Sequence, residues 1–169
     1  MRIAITGTPG TGKTEVAKRL AEKLGYVYIN LNEILLKKYR LERDIERETW
    51  VVDIERAARE VEFPENCVID GHLSHLFNPE VVIVLRCRPK ELWRRLEARG
   101  WKVRKIRENV EAEAMNVIGE EARELCRSVF EVDTTGRKAE EIVEEICDII
   151  EGKKKPQEFD FLEDLEDLL

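Results

Sequence analysis

The sequence lacks the features that mark membrane-spanning, secreted and zinc-binding proteins. No apolar run approaches the roughly 20 residues that a membrane helix needs, and an apolar strand pattern begins at residue 2 without a secretory leader. The cysteines have no C-x-x-C or metal-ligand spacing, so we expect packed, reduced thiols, with a disulfide as the alternative in a hyperthermophile. They are Cys67, Cys87, Cys126 and Cys147. We therefore expect a cytoplasmic protein without a membrane partner.

A net positive charge is also missing. The 29 Lys and Arg residues against 36 Asp and Glu residues leave a net charge of −7, which argues against a protein that coats nucleic acid. We therefore predict no direct nucleic-acid binding. The cations are nevertheless concentrated, because residues 86–107 hold ten of them against two acids. At 169 residues and 43% hydrophobic composition, the chain is long enough for one cored domain.

The strongest motif lies near the start of the chain. Residues 7–14 (GTPGTGKT) match the phosphate-loop pattern G-x-x-x-x-G-K-[ST] at each fixed position. An apolar run at residues 2–6 predicts a buried strand before the loop, and helical spacing from Val16 to Leu24 predicts a helix after it. The residues assigned to nucleotide binding are Gly7, Pro9, Gly10, Thr11, Gly12, Lys13 and Thr14, whereas Glu15 is not assigned.

The chemistry of this loop is the binding of phosphate. Glycines let the backbone curl so that N–H groups point at phosphate oxygens, and the N-terminus of the following helix adds a partial positive charge. Lys13 would reach the β- and γ-phosphates, and the hydroxyl of Thr14 would ligate Mg²⁺. The alternative is a glycine-rich turn without a ligand, but both flanks suit the motif. The sequence therefore predicts a protein that binds a nucleoside triphosphate.

Further strands alternate with helices along the chain. Apolar runs at residues 27–29, 67–70, 81–85 and 128–132 predict four more strands, separated by segments with helical spacing. Continuous apolar runs of this kind suit a parallel sheet covered on both faces, so we predict a doubly wound, five-stranded α/β domain over residues 1–152. Residues 39–48 are polar and expected to be mobile. The helical stretch at residues 102–127 is expected to break near Gly119.

Two polar residues follow the apolar run at residues 67–69. Asp70 stands where a phosphate-loop enzyme places the carboxylate that holds Mg²⁺, directly or through water. His72, two residues on, could orient the acceptor or a water molecule. The plainer alternatives are an Asp that caps a turn and a packed or capping histidine. We expect His75 to be a surface or structural residue.

Several residues of the basic segment could stabilise a transferring phosphoryl group. Arg95 and Arg99 are four residues apart on one predicted helix, so they would face the triphosphate together. Arg86, at the end of a strand, is a second candidate. The alternative is a solvated basic face, and we expect a minority of these cations to touch nucleotide. Asp133 and Thr134 follow the last strand, at the sheet edge where a nucleotide base would lie.

With these residues in place, the chain resembles the atypical adenylate kinases that are also described as nuclear or ribosome-assembly ATPases (the nuclear adenylate kinase isoenzyme six type), a family with archaeal members. The resemblance spans residues 1 to about 150. The matching residues are Thr6-Gly7-Thr8-Pro9-Gly10 through Thr14, Tyr28-Ile29-Asn30, Asp70-x-His72, Leu85-Arg86, Leu96-Glu97-x-Arg99-Gly100-Trp101, Asn109, Glu111 and Glu120-Glu121-Ala122.

The resemblance implies the fold of a P-loop nucleoside monophosphate kinase, with MgATP and AMP as substrates and an additional ATPase activity. It also implies a short lid, at about residues 94–108, and acceptor-side helices within residues 30–62. A further implication is a role in small ribosomal subunit maturation, with a basic platform ribosomal protein as partner. To the AMP side we assign Asn30, Asp53 and Arg86.

One departure from ordinary adenylate kinases affects the acceptor site. Those enzymes usually follow Asp-Gly with Phe-Pro-Arg, whose arginine holds AMP, whereas here the run is His72-Leu73-Ser74. AMP must be held otherwise, so we expect modest kinase activity. Two alternatives stay open: a nucleotide-gated assembly chaperone with incidental kinase activity, and a kinase for another nucleoside monophosphate.

The tail, residues 153–169, differs in character from the domain. Its Phe161, Leu162, Leu165, Leu168 and Leu169 recur at helical spacing among six acids. A frayed, solvated end is the default expectation, and docking onto a basic partner is the alternative. If the tail serves a partner alone, deleting it should leave the kinase rate intact. A rate loss comparable to that of a Lys13→Ala variant would contradict this expectation.

Overall fold

The computed structural model describes residues 1–168, so the predicted role of Leu169 in the tail pattern lies outside the described residues. In chain order the elements are β1 (Arg2–Thr6), α1 (Lys13–Leu24), β2 (Val27–Asn30), α2 (Leu31–Lys38), β3 (Arg40–Asp44), β4 (Thr49–Val52), α3 (Ile54–Glu60), β5 (Cys67–Asp70), a 3₁₀ turn (Ser74–Leu76), β6 (Val81–Arg86), α4 (Pro89–Ala98), α5 (Val103–Ala114), α6 (Val117–Leu125), β7 (Val129–Asp133), α7 (Ala139–Ile150) and α8 (Leu162–Glu166).

Five strands form the predicted parallel sheet, in the order β2-β5-β1-β6-β7. Residues that alternate along a strand point to opposite faces, and both faces are covered. On one face, Ile5 and Ile83 pack against α1 and α7. On the other face, Val84 packs against α6, and Ile69 packs among residues of α2 and α3. Each such fully buried side chain contributes about 1.5–3 kcal/mol to folding. The doubly wound fold class is therefore confirmed.

The sheet brings the polar residues that end its strands to one edge. Ile5 pairs with Asp70, so the phosphate loop, which follows β1, leaves the sheet beside that carboxylate. Arg86 pairs with Asp133 at the ends of β6 and β7. In open α/β sheets, ligands bind at the carboxyl ends of the strands. The topology therefore places the candidate residues at the edge where a ligand site is expected.

Residues 40–52 differ from the sequence expectation. The segment at residues 39–48 was expected to be polar and mobile, but β3 pairs antiparallel with β4 across a short turn. The Arg40 guanidinium lies 4.2 Å from the centre of the Trp50 ring, and Arg43 lies 5.6 Å from it. Such cross-strand cation–π contacts stabilise a hairpin whose side chains are otherwise charged. A charged sequence alone did not reveal this pairing.

The long helical stretch breaks at Asn116 and not at Gly119. Asn116 adopts a left-handed φ of 54°, and Gly119 lies inside α6. A Cβ atom on Gly119 would lie 2.2 Å from the Asn116 Oδ1 atom. The glycine thus makes room for the Asn116 amide, whose Nδ2 donates to Glu131 Oε2 at 2.9 Å.

The tail docks on its own domain, so the expectation of a frayed end is wrong for residues 159–168. We call these residues the C-terminal segment. The Phe161 side chain is only 2% exposed. Leu165 and Leu168 pack against the apolar cluster of α4 and α5, and Arg88 Nη1 donates to Asp164 Oδ2 at 2.8 Å. Three of the periodic apolar residues of the tail, Phe161, Leu165 and Leu168, therefore pack against the domain of the same chain.

The residues that the structure describes contain neither a membrane-spanning helix nor a disulfide. No helix within residues 1–168 is long and apolar enough to cross a membrane. All four cysteines are unpaired, and Cys67 and Cys87 are buried.

We predict that Gly119→Ala destabilises the protein, although alanine ordinarily favours a helix interior by about 0.5–1 kcal/mol. The new methyl group would displace the Asn116 amide and break its bond to Glu131, so we expect a net loss of about 1–2 kcal/mol in the free energy of unfolding, measured by denaturant titration. In an Asn116→Gly background the clash is gone, and the same substitution should become stabilising. Destabilisation of equal size in both backgrounds would contradict this explanation.

Candidate active site

The phosphate loop joins β1 to α1 and packs against α4. Gly10 has a left-handed φ of 94°, and a Cβ atom there would lie 2.8 Å from Leu96 Cδ2 and 2.9 Å from Leu92 Cδ1. Glycine therefore serves both the curl of the loop and its close approach to α4. Thr11 closes the loop from within, since its hydroxyl donates to the Thr8 carbonyl at 2.8 Å. The loop ends at the N-terminus of α1, where the helix dipole favours an anion.

Lys13 lies folded over the loop. Its Nζ donates to the carbonyl oxygens of Gly7 at 3.0 Å and Thr8 at 3.1 Å. Burial lowers the pKa of Lys13 to about 8, and nearby Arg99 acts in the same direction, whereas Asp70 opposes the shift. An anionic phosphate at the loop would restore the ammonium form. Lys13 is therefore held by weak acceptors that a phosphate oxygen can replace.

Thr14 and Asp70 lie in direct contact. The Thr14 hydroxyl donates to Asp70 Oδ2 at 2.9 Å, and the Tyr28 hydroxyl donates to the same oxygen at 2.7 Å. Asp70 is 5% exposed. Burial and the bond to Asp70 both raise the pKa of Tyr28, so its hydroxyl stays protonated and fixes the carboxylate. Tyr28 is therefore a residue of the site, although the sequence indicated it only through the family resemblance.

These oxygen atoms fit Mg²⁺. A threonine hydroxyl and a carboxylate are the hard ligands that this ion prefers, and it keeps other positions for water and substrate phosphates. Within residues 1–168 no group of three or more His, Cys, Asp or Glu residues could hold a metal by itself. Thr14 and Asp70 are the residues that would hold Mg²⁺.

A cavity of about 420 Å³ opens beside the loop, between α1, α4 and the start of α7. Its lining includes the loop residues Gly10, Thr11 and Gly12, with Arg95, Arg99 and Thr134 from the elements around it. Ala139 and Ile142 add apolar surface. A polar floor beside apolar walls suits a phosphate chain with an attached base.

Arg95 and Arg99, at the C-terminal end of α4, differ in their contacts. Arg95 Nη1 donates to the Gly10 carbonyl at 3.3 Å, while Nη2 donates to Glu91 Oε2 at 2.7 Å and to the Thr134 carbonyl at 3.1 Å. Arg99 ends α4 and is exposed, and it makes no ion pair with any residue that the structure describes. Arg95 is thus part of the cavity wall, whereas Arg99 can follow a ligand.

The two histidines lie in different surroundings. His72 keeps an exposed edge, but partial loss of water around its ring, the Lys13 ammonium and His75 lower its pKa to about 4, so its ring is neutral at pH 7. His75 is 1% exposed; its Nδ1 contacts Thr6 Oγ1 at 3.0 Å, and its Nε2 contacts Glu121 at 2.6 Å. His75 therefore has the structural role expected for it.

The three residues assigned to the AMP side lie in different surroundings. Asn30 Oδ1 caps α2 by accepting from the Glu33 amide at 3.2 Å, and Asp53 Oδ1 caps α3 by accepting from the Arg56 amide at 3.1 Å. Both stand at helix starts with a further polar atom available. Arg86, by contrast, is 0% exposed and pairs with Glu113 and Glu131. The assignment of Arg86 to the AMP side, or to a phosphate clamp, is therefore wrong.

Sequence reasoning missed other residues near the cavity. Arg137 lines the cavity and donates to the Asp133 carbonyl at 2.8 Å. The side chain of Asp133, which was assigned to nucleotide binding, accepts from the Thr135 hydroxyl at 2.7 Å and does not line the cavity. Glu113 accepts from the Thr8 hydroxyl at 2.8 Å, and burial raises its pKa against the pull of Arg86. Arg137 directly follows the Gly136 turn, which could have indicated it. Glu113 carries no such signal.

Comparisons with known proteins agree with this geometry. The model of the AAA domain family matches residues 3–116, which is more than half of the chain. A protein named "Putative adenylate kinase" from Methanocaldococcus jannaschii is 46% identical over 164 residues, covering 92% of this chain and 89% of the relative. A relative of the same name from Pyrococcus furiosus is 50% identical over 153 residues, covering 89% and 84%. Another, from Archaeoglobus fulgidus, is 44% identical over 173 residues, covering 99% and 95%.

Solved structures share the fold at low sequence identity. Deoxyadenosine kinase from M. mycoides has a TM-score of 0.63 at 17% identity, covering 91% of this chain and 100% of its own. Shikimate kinase from Acinetobacter baumannii has a TM-score of 0.64 at 16% identity, covering 90% and 94%. The chain thus shares the fold of these two kinases. By its family match and its archaeal relatives, the chain belongs to the AAA domain family and, within it, to the adenylate kinase-like proteins.

Proposed function

We propose that this protein transfers the γ-phosphoryl group of MgATP to AMP, with slower transfer to water. The observation that carries the proposal is the group of charged residues around Lys13 of the phosphate loop: both Asp70, which is bonded to Thr14, and Arg99, which lines the 420 Å³ cavity, are close enough to act on the Lys13 ammonium. The names of the archaeal relatives point to the same reaction.

The donor side of the reaction uses the loop. Its backbone amides and the Lys13 ammonium would bind the β- and γ-phosphates, while Thr14 and Asp70 would hold Mg²⁺. When bound, Mg²⁺ would neutralise charge on the β- and γ-phosphate oxygens. The base and ribose would occupy the cavity between Thr134, Arg137 and Ile142. Arg95 would keep the wall of that cavity in place.

The transfer itself needs charge stabilisation more than proton chemistry. A phosphate oxygen of AMP attacks the γ-phosphorus, the bond to the β–γ bridging oxygen breaks, and two ADP molecules result. Arg99, which forms no ion pair with a residue of the described range 1–168, would move onto the equatorial oxygens as charge spreads over them. His72 is neutral, so it would position the acceptor through a hydrogen bond and not through charge.

The acceptor side would be formed by α2, the β3–β4 hairpin and α3. Asn30 and Asp53 stand at the starts of the two helices, where their remaining polar atoms would contact AMP. Because Arg86 is buried, it cannot supply the AMP contact. AMP affinity is therefore expected to be modest, in keeping with the run His72-Leu73-Ser74 after Gly71.

A second candidate function is a nucleotide-gated assembly protein that handles a basic ribosomal protein of the small-subunit platform. The departure at His72-Leu73-Ser74 favours it, because a switch has no need of tight AMP binding. Phosphoryl transfer to water, controlled by the partner, would then be the main reaction.

The proposal predicts AMP-dependent ADP formation that requires Asp70. We expect Asp70→Ala to lower the rate by about 100-fold or more, because the carboxylate that holds Mg²⁺ is lost. The measurement is ADP production from MgATP with and without AMP, beside phosphate release. Phosphate release that ignores AMP and rises with a basic ribosomal protein would make the second candidate function the primary one.

The lowered pKa of Lys13 predicts proton uptake on nucleotide binding. At pH 8 about half of the ligand-free molecules carry a neutral Lys13, and the triphosphate restores the ammonium, so about half a proton is taken up per MgATP bound. Affinity should accordingly fall as the pH rises above 8. Calorimetry in buffers of different ionisation enthalpy measures the uptake.

Lys13→Arg is the matched control for this prediction. Arginine keeps its charge at every accessible pH, so the uptake at pH 8 should disappear in the variant. Equal uptake in wild type and variant would show that the proton comes from another group.

A further inference from the structure

A buried chain of hydrogen bonds begins at the phosphate loop. The Thr8 hydroxyl donates to Glu113 Oε1 at 2.8 Å. The other oxygen of the same carboxylate accepts from Arg86 Nε and from the Cys87 amide, both at 2.9 Å. Arg86 Nη2 also donates to the Glu113 carbonyl at 2.9 Å. Glu113 therefore holds the loop on one side and the end of β6 on the other.

The same guanidinium continues the chain to the C-terminal segment. Arg86 Nη1 donates to Glu131 Oε1 at 2.5 Å and to the Phe159 carbonyl at 2.7 Å. The Phe159 amide in turn donates to Glu131 Oε1 at 3.0 Å. The segment thus contributes one acceptor and one donor to the buried group, and all three nitrogens of Arg86 are engaged.

Phe161 keeps this group away from water. Its ring centre lies 4.9 Å from the Arg86 guanidinium carbon and 5.1 Å from that of Arg88, and the side chain is 2% exposed. A buried ion pair depends on complete hydrogen bonding, because an unpaired charge in a dry site is costly. Loss of the Phe161 ring would admit water to Arg86 and loosen its hold on Glu113.

Packing provides a second connection between the segment and the loop. Leu92 and Leu96 of α4 lie against Gly10 of the loop. The cluster to which both leucines belong also contacts Leu165 and Leu168 of the segment. The helix that carries Arg95 is therefore held between the phosphate loop and the C-terminal segment.

We propose that the C-terminal segment holds the phosphate loop in its nucleotide-binding conformation, with Phe161, Arg86 and Glu113 as positioning residues. The inference rests on the proposed function in that the loop's ligand is a nucleotide. It differs from both readings of the tail that the sequence left open, a frayed end and docking onto a basic partner. Removing the segment's contacts should weaken ATP binding although no residue of the segment lines the cavity.

The test compares Phe161→Ala with Leu162→Ala in the full chain. Leu162 is the neighbouring residue and is 49% exposed, so its variant controls for a change at the adjacent position of the C-terminal segment. Two quantities are measured: hydrogen exchange of the ligand-free amides at residues 7–12, and the Kd for MgATP. The KM values for ATP and AMP are compared as well.

For Phe161→Ala we expect faster exchange in the loop and about tenfold weaker binding of MgATP. The KM for ATP should rise while the KM for AMP and kcat change little. Exchange in β2, at the far edge of the sheet, should stay as in wild type. Leu162→Ala should leave all of these quantities unchanged. Should Phe161→Ala fold poorly, Phe161→Leu keeps the apolar volume and should show the same pattern to a smaller degree.

A double variant shows whether the effect passes through Glu113. If it does, Phe161→Ala should weaken binding less in a Glu113→Gln background than in wild type. Independent, multiplicative losses would overturn the proposed connection. Equal loop exchange and equal Kd in Phe161→Ala and Leu162→Ala would also overturn it, as would exchange that rises equally in β2.

Failure of the proposed function would look different. Wild-type protein that does not bind MgATP would contradict the nucleotide function itself. The exchange of residues 7–12 in the ligand-free variants would still decide whether the segment holds the loop, since that measurement needs no nucleotide.

Discussion

The burial of one arginine at the end of β6 constrains the structure around it. Arg86 is 0% exposed, so its charge must be balanced within the protein, and Glu113 and Glu131 supply the balance. Glu131 is also paired with Arg123 and accepts from Asn116 at 2.9 Å. Each partner comes from a different element, so α5, α6 and β7 must all lie in one arrangement around the guanidinium. Removing one partner from such a group would leave an uncompensated buried charge, which is strongly destabilising.

The active site depends on this arrangement. Glu113 holds Thr8, and α4 packs against Gly10, so the phosphate loop is fixed from two sides before any ligand arrives. A preorganised loop spends little binding energy on its own ordering. Arg99 is exposed at the end of α4, and it can move without disturbing the buried group. The site thus combines a phosphate loop held from two sides with an exposed cation, Arg99, which under the proposed function would follow the transferring phosphoryl group.

The sequence predicted those features that depend on neighbouring residues. The phosphate loop is contiguous, and Asp70 is marked by the apolar strand before it, so both could be placed from pattern alone. Arg86 could not, because its carboxylate partner Glu113 lies 27 residues away and nothing in the local pattern indicates burial. The tail posed the same difficulty: the spacing of Phe161 showed an apolar face, but not which surface would cover it. The helical stretch was expected to break near Gly119, because glycine is the commoner helix breaker. It breaks at Asn116, since this residue adopts a left-handed φ, which is uncommon for residues other than glycine.

The proposed activity is the transfer of a phosphoryl group to a nucleotide acceptor. A single turnover of γ-³²P-ATP with excess enzyme and AMP tests it, because the label can be followed to its product. We expect most of the label in ADP, and a shift of the label to inorganic phosphate when AMP is omitted. Label that appears mainly in inorganic phosphate, with AMP present at saturating concentration, would contradict the proposed transfer to AMP and identify the protein as an ATPase.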